Sequence, residues 1–239
     1  MHGLRRLQIA ATSIVVIFGV ASAQLGPNLV VNGSFETPIS DNIWNSNPAT
    51  WFSGQTFESW IVTQGSVDIP RTGVAEVARG NAYQGVQYLD LNGSPGVGGI
   101  QQTIAVGESG VYLLSFAMSG NTGADGTIGR NSPRSMRVRI SQGATDIYNQ
   151  VFTWDPANHP SHGGYNQPNS QSYDWRQVEV LIPSTGNYIL SFTSLYTADP
   201  YRGPSLDDVR LQLVPEPASM LALGVGLVGL MAYRRRGHA

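Results

Sequence analysis

Cysteine is missing from this sequence, and charged side chains make up only 13% of its 239 residues. The lack of cysteine excludes disulfide bonds, zinc–thiolate sites, cysteine nucleophiles and a lipid-modified N-terminal cysteine. The charged share is about half of what globular proteins usually carry. With 28 Gly and 14 Pro, the composition is typical of many short strands joined by turns rather than of long helices.

Basic residues are also scarce between the two ends of the chain. All 14 basic residues are arginine, and five of them lie at the termini. Residues 24–213 keep nine Arg against fifteen Asp and Glu, which gives a net charge of −6. An acidic domain without a basic stripe is poorly suited to bind nucleic acid and has little attraction for anionic lipid. We therefore expect no nucleic-acid partner.

Residues 1–23 have the pattern of an export signal peptide. Its three parts are the basic pair Arg5-Arg6, the apolar run from Leu7 to Val20, and the small residues Ala21 and Ala23 around the expected cleavage site. The mature chain would then begin at Gln24. The two arginines also allow a twin-arginine export route, although the surrounding consensus is missing. An uncleaved anchor is the other alternative, which the shortness of the apolar run disfavours.

The C-terminal segment, residues 214–239, has three parts in a fixed order. They are Val214, Pro215, Glu216 and Pro217, then an apolar run over 218–233, then Arg234, Arg235 and Arg236. The apolar run predicts a transmembrane helix that is short for a bilayer of about 30 Å. The arginine cluster would stay on the cytoplasmic side and stop transfer.

These three parts together resemble the PEP-CTERM sorting signal. The resemblance implies processing near the Pro-Glu-Pro motif by an exosortase, a membrane protease-transpeptidase, followed by sorting to the cell surface or extracellular matrix of a Gram-negative bacterium. It also implies an inner-membrane intermediate held by the C-terminal helix. A plain C-terminal anchor with a coincidental motif is the alternative.

The region between the ends shows strand patterns and no long helical period. Apolar residues alternate with other residues in four segments: 112–118, 136–140, 178–182 and 188–192. A period of two with one apolar face predicts half-buried antiparallel strands. We expect nine to eleven strands in one β-sandwich domain over residues 24–213, because no internal repeat or linker interrupts it.

Several motifs along this domain resemble the DUF642 family and the related choice-of-anchor C proteins. They are Asn28–Glu36, Tyr88–Gly93, Gly98–Thr103, Tyr112–Asn121 and Ser205–Leu211. The first of them, Asn28–Glu36, is expected to be an opening strand that runs into a turn. The resemblance covers nearly the whole domain and implies an all-β, galactose-binding-like jelly-roll β-sandwich, a fold that many carbohydrate-binding modules share. The plant members carry cysteines and are often duplicated, so their functions transfer poorly to this chain.

The same resemblance implies one structural calcium ion between the first and last strands. Its candidate ligands are Glu36 and Asp207, because a Glu after the first turn and an Asp on the closing strand often share such an ion in these modules. In a regular strand, Asp207 would lie on the same face as Val209 and Leu211, because alternate residues share a face, and it is therefore expected to face inward. Asp208 would face outward. The alternative is that both carboxylates accept hydrogen bonds from the backbone or from arginine.

A polar loop between two tryptophans is the candidate ligand surface. Its candidate residues are Trp154, His159, His162, Tyr165, Tyr173 and Trp175. Aromatic faces bind the C–H surfaces of sugars, and long loops in compact domains are often functional. The two tryptophans could equally be core residues at strand ends.

Signs of an enzyme are weak. The mature domain has only two histidines, and the sequence contains neither a His-Glu-x-x-His helix nor a Gly-x-Ser-x-Gly elbow. The pair Asp207-Asp208 would point to opposite faces of one strand and could not flank a glycosidic bond. We therefore expect a non-catalytic surface protein that binds extracellular polysaccharide. The alternatives are a structural or adhesive protein without a small ligand and, less favoured, a secreted hydrolase.

Overall fold

A computed structural model describes residues 24–39, 50–71, 81–121, 131–160 and 172–216. Leu25–Pro215 forms one compact unit, and the second unit lies outside the described residues except for Gln24 and Glu216. The expected signal peptide with Ala21 and Ala23 also lies outside them, as do His162, Tyr165, Pro217, the expected helix over 218–233 and Arg234–Arg236. Within the described ranges, no helix has the length and apolar character that a membrane crossing requires.

The described residues contain fourteen β-strands and one turn of 3-10 helix at Pro156–Asn158. The strands are β1 (Thr50–Phe52), β2 (Thr56–Phe57), β3 (Trp60–Gln64), β4 (Ser66–Asp68), β5 (Leu89–Asp90), β6 (Asn92–Gly93), β7 (Gly96–Val97), β8 (Gly99–Val106), β9 (Gly110–Gly120), β10 (Arg134–Gln142), β11 (Thr145–Trp154), β12 (Asp174–Ile182), β13 (Gly186–Ser194) and β14 (Pro204–Leu213).

Twelve of these strands form two antiparallel sheets of six strands each. The front sheet has the order β1-β4-β5-β14-β9-β12, and the back sheet has the order β11-β10-β13-β8-β3-β2. Strands β6 and β7 form a separate two-stranded ribbon. Neighbours in each sheet are mostly distant in sequence, as in a jelly roll. The prediction of an all-β jelly-roll sandwich is confirmed.

The hydrophobic core lies between the two sheets. Apolar residues at alternate positions of β9 and β13 are fully buried there, and Phe116 contacts Phe192 edge to face at a centroid distance of 5.5 Å. The even positions of β9 fill the core, so its odd positions lie on the other side of the front sheet. We call that side the outer face of the front sheet.

The opening segment is not the strand that the sequence predicted. The Asn28 side chain accepts hydrogen bonds from the backbone N–H groups of Val30 and Leu211 and donates one to the Val209 carbonyl. The side chain therefore replaces part of a regular backbone ladder beside β14, to which the N–H groups of Gly26 and Leu29 also donate. Residues 31–34 form a turn, and the φ angles of Asn32 and Phe35 are 50° and 58°, which a strand does not allow.

The orientation predicted for Asp207 is wrong, because β14 contains a β-bulge. Leu206 pairs with Met118, and Asp207 pairs with Ala117, but Arg210 pairs with Ser115, so one extra residue lies between them. Asp208, with φ 48°, takes the left-handed conformation at this bulge. Asp207 therefore lies on the outer face of the front sheet, opposite to the core, and is buried there by other segments.

Candidate functional site

Trp154 is fully buried, and its indole Nε1 donates a hydrogen bond to the Ser172 carbonyl at 3.1 Å. The His159 ring stacks on the Trp154 indole at 5.0 Å with an interplanar angle of 11°. The imidazole Nε2 of His159 lies 3.2 Å from Oδ1 of Asp174. These contacts place the first half of the expected ligand loop in the packing at the end of the sandwich.

Tyr173 and Trp175, at the end of that loop, contact a residue that sequence reasoning missed. Trp175 stacks with Tyr83 at a centroid distance of 5.5 Å and an interplanar angle of 13°. Tyr173 contacts Tyr83 edge to face at 5.6 Å. Tyr83 is 47% exposed, and Trp175 is partly exposed. We call Tyr83, Tyr173 and Trp175 the aromatic platform.

The platform is held from two sides. The Tyr173 hydroxyl donates to the Asn81 carbonyl at 3.0 Å, and burial raises the pKa of this phenol well above its usual value. The Arg210 guanidinium lies over the Trp175 ring at 5.6 Å. Arg210 reaches this position because the bulge in β14 places it on the outer face of the front sheet.

Asp208 fixes the Arg210 side chain with two hydrogen bonds. Nε and Nη2 of Arg210 donate to the two Asp208 carboxylate oxygens at 2.8 and 2.6 Å. This bidentate pair is the strong form of a charge-assisted hydrogen bond, and it raises the pKa of Arg210. The left-handed backbone at Asp208 is a conformation that proteins often keep at functional sites.

An open, polar cleft of about 370 Å³ begins at this ion pair. Its polar lining residues are Asn28, Asn32, Ser34, Gln84, Asp208, Arg210 and Gln212. The cleft adjoins the platform because Arg210, which lines the cleft, lies over the Trp175 ring, and Gln84 follows Tyr83. Among the described contacts, the side chains of Ser34 and Gln84 make no hydrogen bond, so both are available to a ligand.

The segment that carries Tyr83 is held by the two carboxylates expected to bind calcium. Oδ2 of Asp207 accepts from the backbone N–H groups of Tyr83 and Gln84 at 2.7 and 2.9 Å. Oδ1 accepts from the N–H of Asp208 at 2.7 Å. Oε1 of Glu36 accepts from the N–H groups of Val86 and Gln87 at 2.9 and 2.8 Å.

This donor set does not suit a calcium ion. Three of the four carboxylate oxygens face N–H groups, whose positive ends repel a cation. Within the described part of the chain, no three acidic or histidine side chains cluster together. The contacts fit the alternative in which both carboxylates accept backbone hydrogen bonds, and calcium stays a prediction of the family resemblance.

The last strand leads directly into the segment with the Pro-Glu-Pro sequence. The N–H of Val214 donates to the Val111 carbonyl at 2.8 Å, which extends the β14–β9 pairing past Leu213. Pro215 has no N–H, so the pairing cannot continue. The residues after β14 match a known signal: residues 213–236 fit the PEP-CTERM protein-sorting motif.

The chain carries a PEP-CTERM sorting motif. This confirms the prediction from the tail sequence and indicates an exported, exosortase-processed surface protein of a Gram-negative bacterium. No curated protein matches the chain.

Solved structures share the fold at low sequence identity. The carbohydrate-binding module TmCBM61, solved with β-1,4-galactotriose, is 15% identical, with 78% of this chain and 98% of that chain covered and a TM-score of 0.46. The xylan-binding CBM22-1 domain of Paenibacillus barcinonensis Xyn10C is 18% identical, with 82% and 99% covered and a TM-score of 0.41. The K2 cleaved adhesin domain of Lys-gingipain is 14% identical, with 75% and 95% covered and a TM-score of 0.42. These likenesses concern the fold alone.

Proposed function

We propose that the sandwich domain of this PEP-CTERM protein binds extracellular polysaccharide at the aromatic platform and the adjoining cleft, without catalysis. The observation that carries the proposal is the exposed, stacked pair Tyr83–Trp175 beside a polar cleft. Aromatic faces contact the C–H surfaces of sugar rings, and polar side chains in an adjoining cleft bind the hydroxyl groups. Export by a sorting signal would bring this surface to extracellular polysaccharide.

Three acidic side chains around the cleft favour binding over hydrolysis. Glycoside hydrolysis needs one protonated carboxyl group and a second carboxylate across the scissile bond. Asp207 accepts three backbone hydrogen bonds, Asp208 holds Arg210, and Glu36 accepts two backbone hydrogen bonds. Their hydrogen bonds hold these carboxylates in supporting roles.

The remaining partners follow from the tail. We propose that the exosortase processes the chain near Val214–Pro217 and that the segment over 218–233 anchors an inner-membrane intermediate before this step. The domain would face the periplasm at that stage and reach the cell surface or matrix afterwards.

Affinity electrophoresis in polysaccharide gels tests the binding proposal. The full-length protein, kept soluble in a detergent without sugar groups, should be retarded by at least one polysaccharide. Tyr83→Ala should weaken binding roughly tenfold, since loss of a stacked aromatic removes about 1–2 kcal/mol. Tyr201→Ala is the matched control, because Tyr201 is also a tyrosine, is 51% exposed and lies outside the platform.

Two outcomes would contradict the proposal. Equal losses for Tyr83→Ala and Tyr201→Ala would mean that the platform is not the binding surface. No retardation by any polysaccharide would favour the alternative class, a structural or adhesive protein without a small ligand.

A further inference from the structure

We infer that the platform and cleft take an uncharged polysaccharide rather than one rich in uronate or sulfate groups. This inference rests on the proposed function and adds the chemical class of the ligand. It follows from how the described cations are used and from the charge around the cleft.

The cation at the cleft is already neutralised. One edge of the Arg210 guanidinium is engaged, because Nε and Nη2 both donate to Asp208, at 2.8 and 2.6 Å. An acidic sugar would have to compete with this bidentate carboxylate, which is the geometry that suits a guanidinium best. A neutral sugar needs no such exchange, because its hydroxyl groups can bond to the remaining polar atoms of the pair.

The other described arginines do not supply a free positive surface here, and Arg71, whose backbone pairs with Gln87, has a partner as well. Arg176 pairs with Asp174 at 2.6 Å and Arg202 pairs with Asp199 at 2.9 Å. Arg134 is fully buried at the end of the sandwich. Arg137 and Arg139 belong to β10, which lies in the back sheet.

Negative charge surrounds the cleft instead. Asp208 lines the cleft, and Glu36 holds its neighbouring segment. Glu179 is exposed on β12, where it and Gln212 of β14 lie on either side of Leu113 in β9. Residues 24–213 carry a net charge of −6. A polyanion would therefore approach a surface of its own sign, which slows association and weakens binding at low salt.

The uncommitted groups of the cleft suit hydroxyl groups. Ser34 offers a hydroxyl, and Gln84 offers both an amide donor and a carbonyl acceptor. Neither carries charge, so a neutral sugar can bond to them without removing an ion from water. The platform contributes apolar contact area, which binds a sugar ring without requiring that the sugar carry a charge.

A specificity switch tests the inference. The full-length protein is run in gels that contain uncharged polysaccharides (glucan, galactan, xylan) or uronate polysaccharides (polygalacturonate, alginate), at low and at high salt. The wild type should bind at least one uncharged polymer, with an affinity that changes less than about twofold with salt. It should show no measurable binding to the uronate polymers.

Asp208→Asn releases the Arg210 charge while keeping a residue type that tolerates the left-handed backbone. This variant should gain uronate binding that high salt abolishes. Glu58→Gln is the control: it removes one negative charge at another left-handed residue, with φ 48°, in the turn between β2 and β3 of the back sheet. It should gain nothing.

The outcomes separate this inference from the proposed function. A wild type that prefers uronate polymers, with steep salt dependence, overturns the neutral-ligand inference and leaves polysaccharide binding standing. Uronate binding gained equally by Asp208→Asn and Glu58→Gln would assign the discrimination to net charge and overturn the role given to the Asp208–Arg210 pair. No binding to any polymer refutes the proposed function itself.

Discussion

Asp207 and Glu36 bind the two ends of one short segment, residues 83–87. Asp207 accepts from the N–H groups of Tyr83 and Gln84, and Glu36 accepts from those of Val86 and Gln87. Asp207 lies on the last strand and Glu36 follows the opening turn, so the two ends of the domain jointly fix the segment that carries Tyr83. The geometry of the platform therefore depends on two carboxylates that need not touch a ligand.

Removing either contact should loosen this segment. Asp207→Ala deprives three N–H groups of their acceptor, and a buried group left without a partner costs about 1–3 kcal/mol. We expect a lower melting temperature and faster amide hydrogen exchange at Tyr83 and Gln84. Gly85→Ala tests the other end, since Gly85 has φ 70° and an added Cβ would fall on Oε1 of Glu36.

The affinity for polysaccharide should fall in both Asp207→Ala and Gly85→Ala, even where the protein stays folded, because the segment that carries Tyr83 is no longer fixed. Unchanged exchange rates at Tyr83 and Gln84 in the folded Asp207→Ala protein would contradict the positioning role.

Chelation should leave the melting temperature unchanged. The Asp207 and Glu36 oxygens that would bind calcium face N–H groups instead, so removing calcium should change nothing in the folded state. Differential scanning calorimetry with and without a calcium chelator checks this. A chelator that lowers the melting temperature as much as Asp207→Ala does would establish the ion that the family resemblance implies, because a ligand of the folded state stabilises it by mass action.

Two buried carboxyl groups predict how stability depends on pH. Desolvation by burial raises the pKa of Asp90 from 3.8 to about 7, although Asn121 and the N–H groups of Asn92 and Gly203 donate hydrogen bonds to it. Desolvation raises the pKa of Asp207 from 3.8 to about 7 against three backbone donors. In both cases the folded state binds the proton more tightly than the unfolded state.

The sign follows from this difference in proton binding. Between pH 3.8 and about 7 the folded state holds more protons than the unfolded state, so stability falls as pH rises through this window. The change is at most roughly 4 kcal/mol for each group. The carboxylate of Asp146, whose pKa is lowered by Arg139, acts in the opposite direction only below 3.8.

We therefore expect the melting temperature to fall by several degrees between about pH 5 and pH 8. Asp90→Asn keeps an oxygen for the N–H groups of Asn92 and Gly203 but cannot titrate, so it should flatten part of this slope. An equal slope in Asp90→Asn and wild type would show that Asp90 is not one of the titrating groups.

Much of the sandwich could be predicted because strand alternation is a local property. Tyr112, Leu114, Phe116 and Met118 alternate in the sequence, and β9 buries all four in the core. The same reasoning fails at β14, because regular alternation from Leu211 back to Asp207 ignores the β-bulge that lies between them. The left-handed residue at the bulge is an aspartate rather than a glycine, so the sequence carries no clear mark of it.

The candidate site was only half predictable for a similar reason. The sequence marks Trp175 because it ends a long polar loop, but its stacking partner Tyr83 lies on a distant segment that only tertiary structure brings near. The sequence also groups Trp154 with Trp175, because the two residues flank the same loop. Strand β11 ends with the Trp154 side chain in the core, whereas Trp175 is at an outward position of β12.

The two tryptophans should therefore respond differently to substitution. Trp154→Ala should lower the free energy of unfolding by about 3–5 kcal/mol, as removal of a large buried aromatic does. Trp175→Ala should cost little stability and abolish most polysaccharide binding. Chemical denaturation and affinity electrophoresis, with binding expressed per folded molecule, separate the effects. A stable Trp154→Ala protein that has lost binding would restore the original loop prediction.

Processing of the tail should remove the C-terminal arginines without disturbing the sandwich. The Val214–Val111 hydrogen bond closes the sheet, and Pro215 prevents its continuation, so the residues at the motif leave the ladder at once. A proline-flanked segment stays extended, and its backbone is accessible to a membrane peptidase. The residues that complete the core, Leu211 and Leu213, lie before the expected processing region.

Mass spectrometry of protein extracted from the surface of the native host tests this prediction. The mature form should begin at Gln24 and end near Val214–Pro217, and a host without its exosortase should retain the full tail. Pro215→Ala with Pro217→Ala is expected to block processing while leaving the melting temperature unchanged, because Pro215 is not part of the core that the structure describes. Surface protein from wild-type cells that still carries Arg234–Arg236 would contradict sorting, and the chain would then be a simple membrane-anchored domain. The arginine cluster would in that case act only to stop transfer at the cytoplasmic side.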